Sequence, residues 1–144
     1  MRDDTILFVC LHGAAKSLVA ATHLERLAAE RGARMRAEFA GTEPDPELAP
    51  AAVAGLLAEG LDVPGQRPRR VTEEDMRAAS RVIAFCCDPG AIAPGVPVER
   101  WDDVPAVSED YRAARDAIVS RLSALLAGGN TFTVDPEEQI CDIS

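Results

Sequence analysis

The feature that most restricts this chain is an unbroken apolar run, Ile6-Leu7-Phe8-Val9, that ends at Cys10 and opens straight into the loop "LHGAAKS". A strand with one wet face alternates apolar and polar residues, whereas a continuous run suits a strand covered on both faces, as in a parallel sheet. The stretch "RVIAFC", Arg81 to Cys86, repeats the pattern, and two more strands are expected over Arg34 to Ala40 and Val96 to Trp101. Helical spacing fills the intervals. Leu24, Leu27 and Ala28 mark a helix from Ser17 to Arg31, closed by Gly32, and Ala49, Val53, Leu56 and Leu57 mark a second ending near Gly60. Thr72 followed by Glu73, Glu74 and Asp75 reads as the cap and acidic first turn of a short third helix. Ser108-Glu109-Asp110 opens a last helix, with Tyr111, Ala114, Ile118, Leu122 and Leu125 on one face. Strands alternating with helices predict an α/β fold: a single-domain, open, four-stranded parallel sheet with helices on both faces.

At 144 residues the chain has the length of one domain. The folded unit is expected over residues 1–126, followed by an acidic tail, 127–144, that contains "DPEEQICDIS". No apolar run approaches the roughly 18 residues of a membrane span, and "MRDDTILF" lacks the basic and apolar regions of a secretion signal. A cytoplasmic location is therefore expected. Fifteen basic against 24 acidic side chains give a formal charge of −9, which repels nucleic acid and anionic membranes, so neither is an expected partner. Any anionic ligand has to be held by a local site. Cys10, Cys86, Cys87 and Cys141 lack the paired spacing of a zinc site, so no metal is expected and the cysteines read as free thiols.

In a doubly wound sheet, ligands bind beyond the carboxyl ends of the strands. Three segments fall there: Cys10 with its loop, Cys86-Cys87, and Trp101-Asp102-Asp103. A loop leaving a strand and entering a helix turns successive backbone N–H groups and the positive helix end toward an anion. Gly13 tolerates positive φ, Ala14 and Ala15 keep the wall small, and Ser17 can donate to a Cys10 thiolate, which the same field favours. Plainer readings stand beside these. Cys10 is a nucleophile or a buried strand-end residue. Neighbouring strand residues face opposite ways, so at least one of Cys86 and Cys87 is core filler. His12 is a general acid, a neighbour favouring the thiolate, or a loop histidine facing water, and His23 reads as structural or solvated. Asp102 and Asp103 include a proton donor or cap a turn beside Pro105. Arg67, Arg69 and Arg70 steer an anion or line a solvated face, and Trp101 packs at a sheet edge.

"ILFVCLHGAAKS" resembles the active-site loop of the low-molecular-weight protein tyrosine phosphatase superfamily, whose pattern is Cys, five residues, Arg, Ser, and which includes thioredoxin-coupled arsenate reductases. "AGTEPDPELAPAAVAGLLAEGLDVPGQRPRRV", "RVIAFCCD" and "ERWDDVP" are similar, in order, to later arsenate-reductase segments, so the resemblance spans residues 5 to about 126. It implies a four-stranded parallel sheet without metal or cofactor. It further implies Cys10 as nucleophile, Leu11, His12, Gly13, Ala14, Ala15, Lys16 and Ser17 as the oxyanion cradle, and Ser17 as the residue stabilising the thiolate. Cys87, with Cys86 as near alternative, takes the place of the resolving cysteine, and Asp103 or Asp102 that of the general acid.

Several positions depart from the pattern. Lys16 stands where the signature has arginine, and offers a point charge in place of a planar fork. Loss of one preorganised donor in such sites costs on the order of 100- to 1000-fold in rate. His12 stands for a glycine and Gly13 for an asparagine, Val104 breaks the Asp-Pro spacing, and the reductases' third cysteine is missing from "CCDPGAIAP". Either Cys141 or an external thiol then completes a relay. Three functions follow from the resemblance. The first is an arsenate-reductase-like thiol enzyme acting on arsenate with a thioredoxin-like or low-molecular-weight thiol reductant. The second is a phosphomonoester phosphatase, and the third is an oxyanion-binding or redox-sensing module without turnover.

Overall fold

The computed structural model describes residues 4–61, 63 and 66–127. Strand β1 (Asp4–Cys10) is flanked by β2 (Met35–Gly41) on one side and β3 (Arg81–Phe85) on the other, with β4 (Glu99–Arg100) outside β3. All neighbours pair in parallel, in the order β2-β1-β3-β4. Between the strands run α1 (Lys16–Glu30), α2 (Pro50–Ala58) and α3 (Glu73–Ala78), and α4 (Tyr111–Leu126) closes the described fold. The chain leaves β1 for β2 on one side and later returns to pair β3 on the other, so the carboxyl ends of β1 and β3 form the topological switch point. In register there, Cys10 pairs with Phe85.

The continuous apolar strands do face two cores. Ile6, Phe8, Cys10, Ile83 and Phe85 pack with α1, α2 and α4, whereas Leu7, Val9 and Val82 pack with Met76 of α3. Alternation along each strand thus serves two apolar faces. Phe8, Phe85 and Trp101 meet with ring centroids 5.8 to 6.2 Å apart and fill the space under the carboxyl edge. Thr72 and Asp75 form the reciprocal cap expected for α3, and Asp110 caps α4 through the Ala113 amide. Two strands end sooner than their sequence suggests. β3 stops at Phe85 because Cys86 turns to φ +52, and β4 shrinks to two residues after Gly95 at φ +90 and Pro97, which has no N–H to give a ladder. The expected acidic tail lies, apart from Ala127, outside the described residues, as does Cys141. Among the described residues no helix is long and apolar enough to cross a membrane.

His23, fully buried in α1, belongs to a polar cluster where α1 meets the end of α2 and the start of α4. Arg26 donates to its Nδ1, which leaves the proton on Nε2, 3.4 Å from Glu59 but out of line for a hydrogen bond. Glu59 in turn accepts from Tyr111 at 2.6 Å and from Arg115 at 3.0 Å. Burial lowers the His23 pKa from 6.5 against the opposing attraction of Glu59, and Arg26 and Arg115 add to the lowering. A histidine kept neutral in the fold binds its proton more readily when unfolded, so its contribution is complete above pH 6.5 and lost as pH falls below it. Thermal unfolding followed by circular dichroism is expected to show stability dropping from pH 6.5 toward 4.5, above the range in which Glu59, itself lowered from 4.5, protonates. His23→Gln is expected to flatten that part of the profile.

The loop after β1 is wedged against the end of β2. Gly13 has φ +61, and a Cβ there would stand 2.5 Å from the Gly41 nitrogen, while one on Gly41 would stand 2.6 Å from the Gly13 nitrogen. Gly32 has a similar φ of +68 but open space around it. Denaturant unfolding is therefore expected to cost on the order of 2–4 kcal/mol for Gly13→Ala, from strain and overpacking together, and about 1 kcal/mol for Gly32→Ala.

Candidate active site

Cys10 ends β1 and is 5% exposed, and the hydroxyl of Ser17, the second residue of α1, lies 3.0 Å from its sulfur. The residues between them are tied down by their carbonyls. The oxygens of Cys10, Leu11, His12 and Ala14 accept from the amides of Thr42, Glu43, Asp45 and Ala49, at 2.7 to 3.2 Å. With the carbonyls turned to that outer segment, the amides of Leu11 to Ala15 take part in none of these tethers. Helix α1 begins on Ala15, which supplies no side-chain cap, and its first turn has no acidic residue. Its amino end is left to the field that suits an anion. Lys16, the first residue of α1, is 3% exposed, so a cation is buried at this same point.

The His12 ring turns outward. Its Nδ1 lies 3.2 Å from Asp45 and 3.3 Å from the Glu43 carbonyl, so the ring fastens the rim. Arg69 pairs with Glu38 and Asp75, and Arg70 donates to the Thr42 carbonyl, which braces the same outer segment.

The adjacent thiols part company. Cys86 donates toward the Asp102 carbonyl on the β4 side, whereas Cys87 donates toward the Val9 carbonyl, one residue before Cys10. Burial, and then the charge of Cys10, push the Cys87 thiol up to about 12. Cys87 is therefore a neutral thiol at pH 7, within electrostatic reach of Cys10. The two candidate acids also differ. Asp102 is fully buried and accepts from the Cys86 amide and from Arg100, both at 2.7 Å. Asp103 is exposed and accepts at 2.6 Å from Arg121, whose guanidinium lies over the Trp101 ring. Sequence reasoning did not single out Arg100 or the tethers from Thr42, Glu43 and Asp45. The tethers are donated by main-chain amides, which side-chain identity does not mark.

A family model described as low molecular weight phosphotyrosine protein phosphatase matches residues 5–116, a span that includes the loop after β1. The chain belongs to that phosphatase family. A sequence search of curated proteins found no match. Among solved structures, YfkJ from Bacillus subtilis is 23% identical, with TM-score 0.77 over 89% of this chain and 95% of that one. A thioredoxin-dependent arsenate reductase from Corynebacterium glutamicum is 24% identical, with TM-score 0.70 over 88% of this chain and 61% of its own. A low molecular weight protein tyrosine phosphatase from T. tengcongensis is 19% identical, with TM-score 0.76 over 88% and 99%. At these identities the likeness is one of fold, and the low molecular weight phosphatase fold is shared by phosphatases and arsenate reductases alike.

Ser17→Ala removes the hydroxyl from the sulfur. A hydrogen bond to a charged group contributes about 1.5–3 kcal/mol, so alkylation of Cys10 by iodoacetamide at pH 7 is expected to slow roughly tenfold or more, read by peptide mass spectrometry.

Proposed function

We propose that the protein is an arsenate-reductase-like thiol enzyme. The observation that carries this reading is the second thiol: Cys87 donates toward the carbonyl of Val9, next to the nucleophile position, and feels the charge of Cys10. In the first step the Cys10 thiolate bonds to arsenic, and an arsenate oxygen leaves as water after protonation. Amides of Leu11 to Ser17, the α1 terminus and the Lys16 ammonium hold the remaining oxygens. Bonding of its sulfur moves the Cys10 charge onto the arsenate oxygens, away from the sulfur beside Cys87, whose burial is the larger cause of its raised pKa. Cys87, losing its proton, then attacks the Cys10 sulfur. A Cys10–Cys87 disulfide forms, the electron pair of the sulfur–arsenic bond stays with arsenic, and arsenite departs. An external dithiol of the thioredoxin type, or a low-molecular-weight thiol, returns the disulfide to two thiols.

A phosphomonoesterase needs only Cys10 and an acid for the leaving oxygen, and family membership favours it as the second reading. Against it, both carboxylate oxygens of Asp102 are engaged inside the protein and Asp103 is paired with Arg121. The third reading, a binding or sensing module without turnover, draws on Lys16, whose point charge cannot match a guanidinium fork.

Arsenate reduction coupled to thioredoxin and its reductase is expected in the wild type and lost, by at least 100-fold, in both Cys10→Ser and Cys87→Ser. Hydrolysis of an aryl phosphate that survives Cys87→Ser while arsenate reduction is absent would assign the phosphatase reading. Oxyanion binding with neither activity would assign the third, and Lys16→Arg would then be expected to raise turnover.

A further inference from the structure

Cys86 is the one non-glycine residue with positive φ among the described residues, at +52. Left-handed backbone costs an ordinary L-residue roughly 1–2 kcal/mol, so something must hold it. Asp102 is placed to do so: one carboxylate oxygen accepts the Cys86 amide at 2.7 Å, the other accepts Arg100 Nε at 2.7 Å, and its main-chain oxygen faces the Cys86 sulfur at 3.4 Å. A fully buried carboxylate is retained only where it is paired and hydrogen-bonded, and here both partners lie at the ends of β3 and β4. The turn it fastens sends the two sulfurs to different strands, Cys86 toward β4 and Cys87 toward β1.

We propose that Asp102 is a positioning residue that selects which adjacent thiol meets Cys10: it locks Cys86 in the left-handed turn and so presents Cys87. The inference rests on the reading of Cys87 as the resolving thiol, and it gives Asp102 a role other than proton donor. Released from Asp102, residue 86 relaxes to extended backbone, the alternation of side chains shifts by one, and Cys86 competes for Cys10.

The test oxidises the reduced full chain with one equivalent of hydrogen peroxide, which takes two electrons from a thiol pair and leaves as two waters, and maps the disulfide by mass spectrometry. Wild type is expected to give Cys10–Cys87. Asp102→Ala is expected to slow that pairing at least tenfold and to yield Cys10–Cys86 in comparable amount. Asp102→Asn keeps an oxygen for the Cys86 amide and is expected to restore most of the wild-type pattern. In a Cys86→Gly background, glycine adopts positive φ unaided, so adding Asp102→Ala is expected to slow Cys10–Cys87 pairing less than threefold. A purely structural role would leave that penalty unchanged. If Asp102→Ala does not fold, Asp102→Val, close in volume and without an acceptor, is read in the same way. Wild-type pairing with no change in any Asp102 variant overturns the inference alone. Loss of aryl phosphate hydrolysis in Asp102→Asn with unchanged pairing also overturns it, in favour of an acid. Failure of the wild type to pair Cys10 with Cys87 overturns the resolving-thiol reading itself.

Discussion

The site depends on a backbone contact that no side chain can replace, the approach of Gly13 to Gly41. Two main chains meet there at a distance that excludes even a methyl group, and the meeting lets the amides of residues 42 to 49 reach the loop carbonyls. Once the oxygens of Cys10, Leu11, His12 and Ala14 are occupied on the outside, the peptide planes they belong to are fixed. The loop is therefore shaped by what holds its back. Ser17 and Cys10 then meet because α1 starts where the loop ends and lies on the same sheet face as Cys10.

Much of this was legible in the chain. Ile6 to Val9 and Val82 to Phe85 read as doubly covered strands because burial on both faces leaves no room for polar alternation, and the two cores answer that pattern. The position of Cys10, its loop and Cys86-Cys87 at one edge followed from strand order. Other features were hidden for physical reasons. Two adjacent aspartates look alike in sequence, and only the fold buries Asp102 while leaving Asp103 at the surface beside Arg121. Two adjacent cysteines look alike as well, since a non-glycine residue carries no mark of left-handed backbone. The shortness of β4 could be read only in part, because Pro97 bars a ladder bond but does not fix where pairing resumes.

Charge is distributed to serve the edge against the average. A chain with net charge −9 repels oxyanions at a distance, yet at the carboxyl edge Lys16 is buried beside the loop, and Asp102 and Asp103 are paired with Arg100 and Arg121. Net charge acts over long range, whereas main-chain dipoles act over the last few ångströms, where salt screens little. Cys87, on the neighbouring strand end, is held as a neutral thiol first by its burial and then by the charge of Cys10.

Helix α1, begun on an alanine, makes the solution around the protein a partner in its folding. A helix with its own serine or aspartate cap carries that acceptor in any buffer, whereas α1 has no side-chain cap and no acidic residue in its first turn. Occupancy by a tetrahedral anion at a hundredfold excess over its dissociation constant adds about 2.7 kcal/mol to the folded state. An anion that bound at this helix end would thus be read as a rise in melting temperature, with no assay of turnover needed.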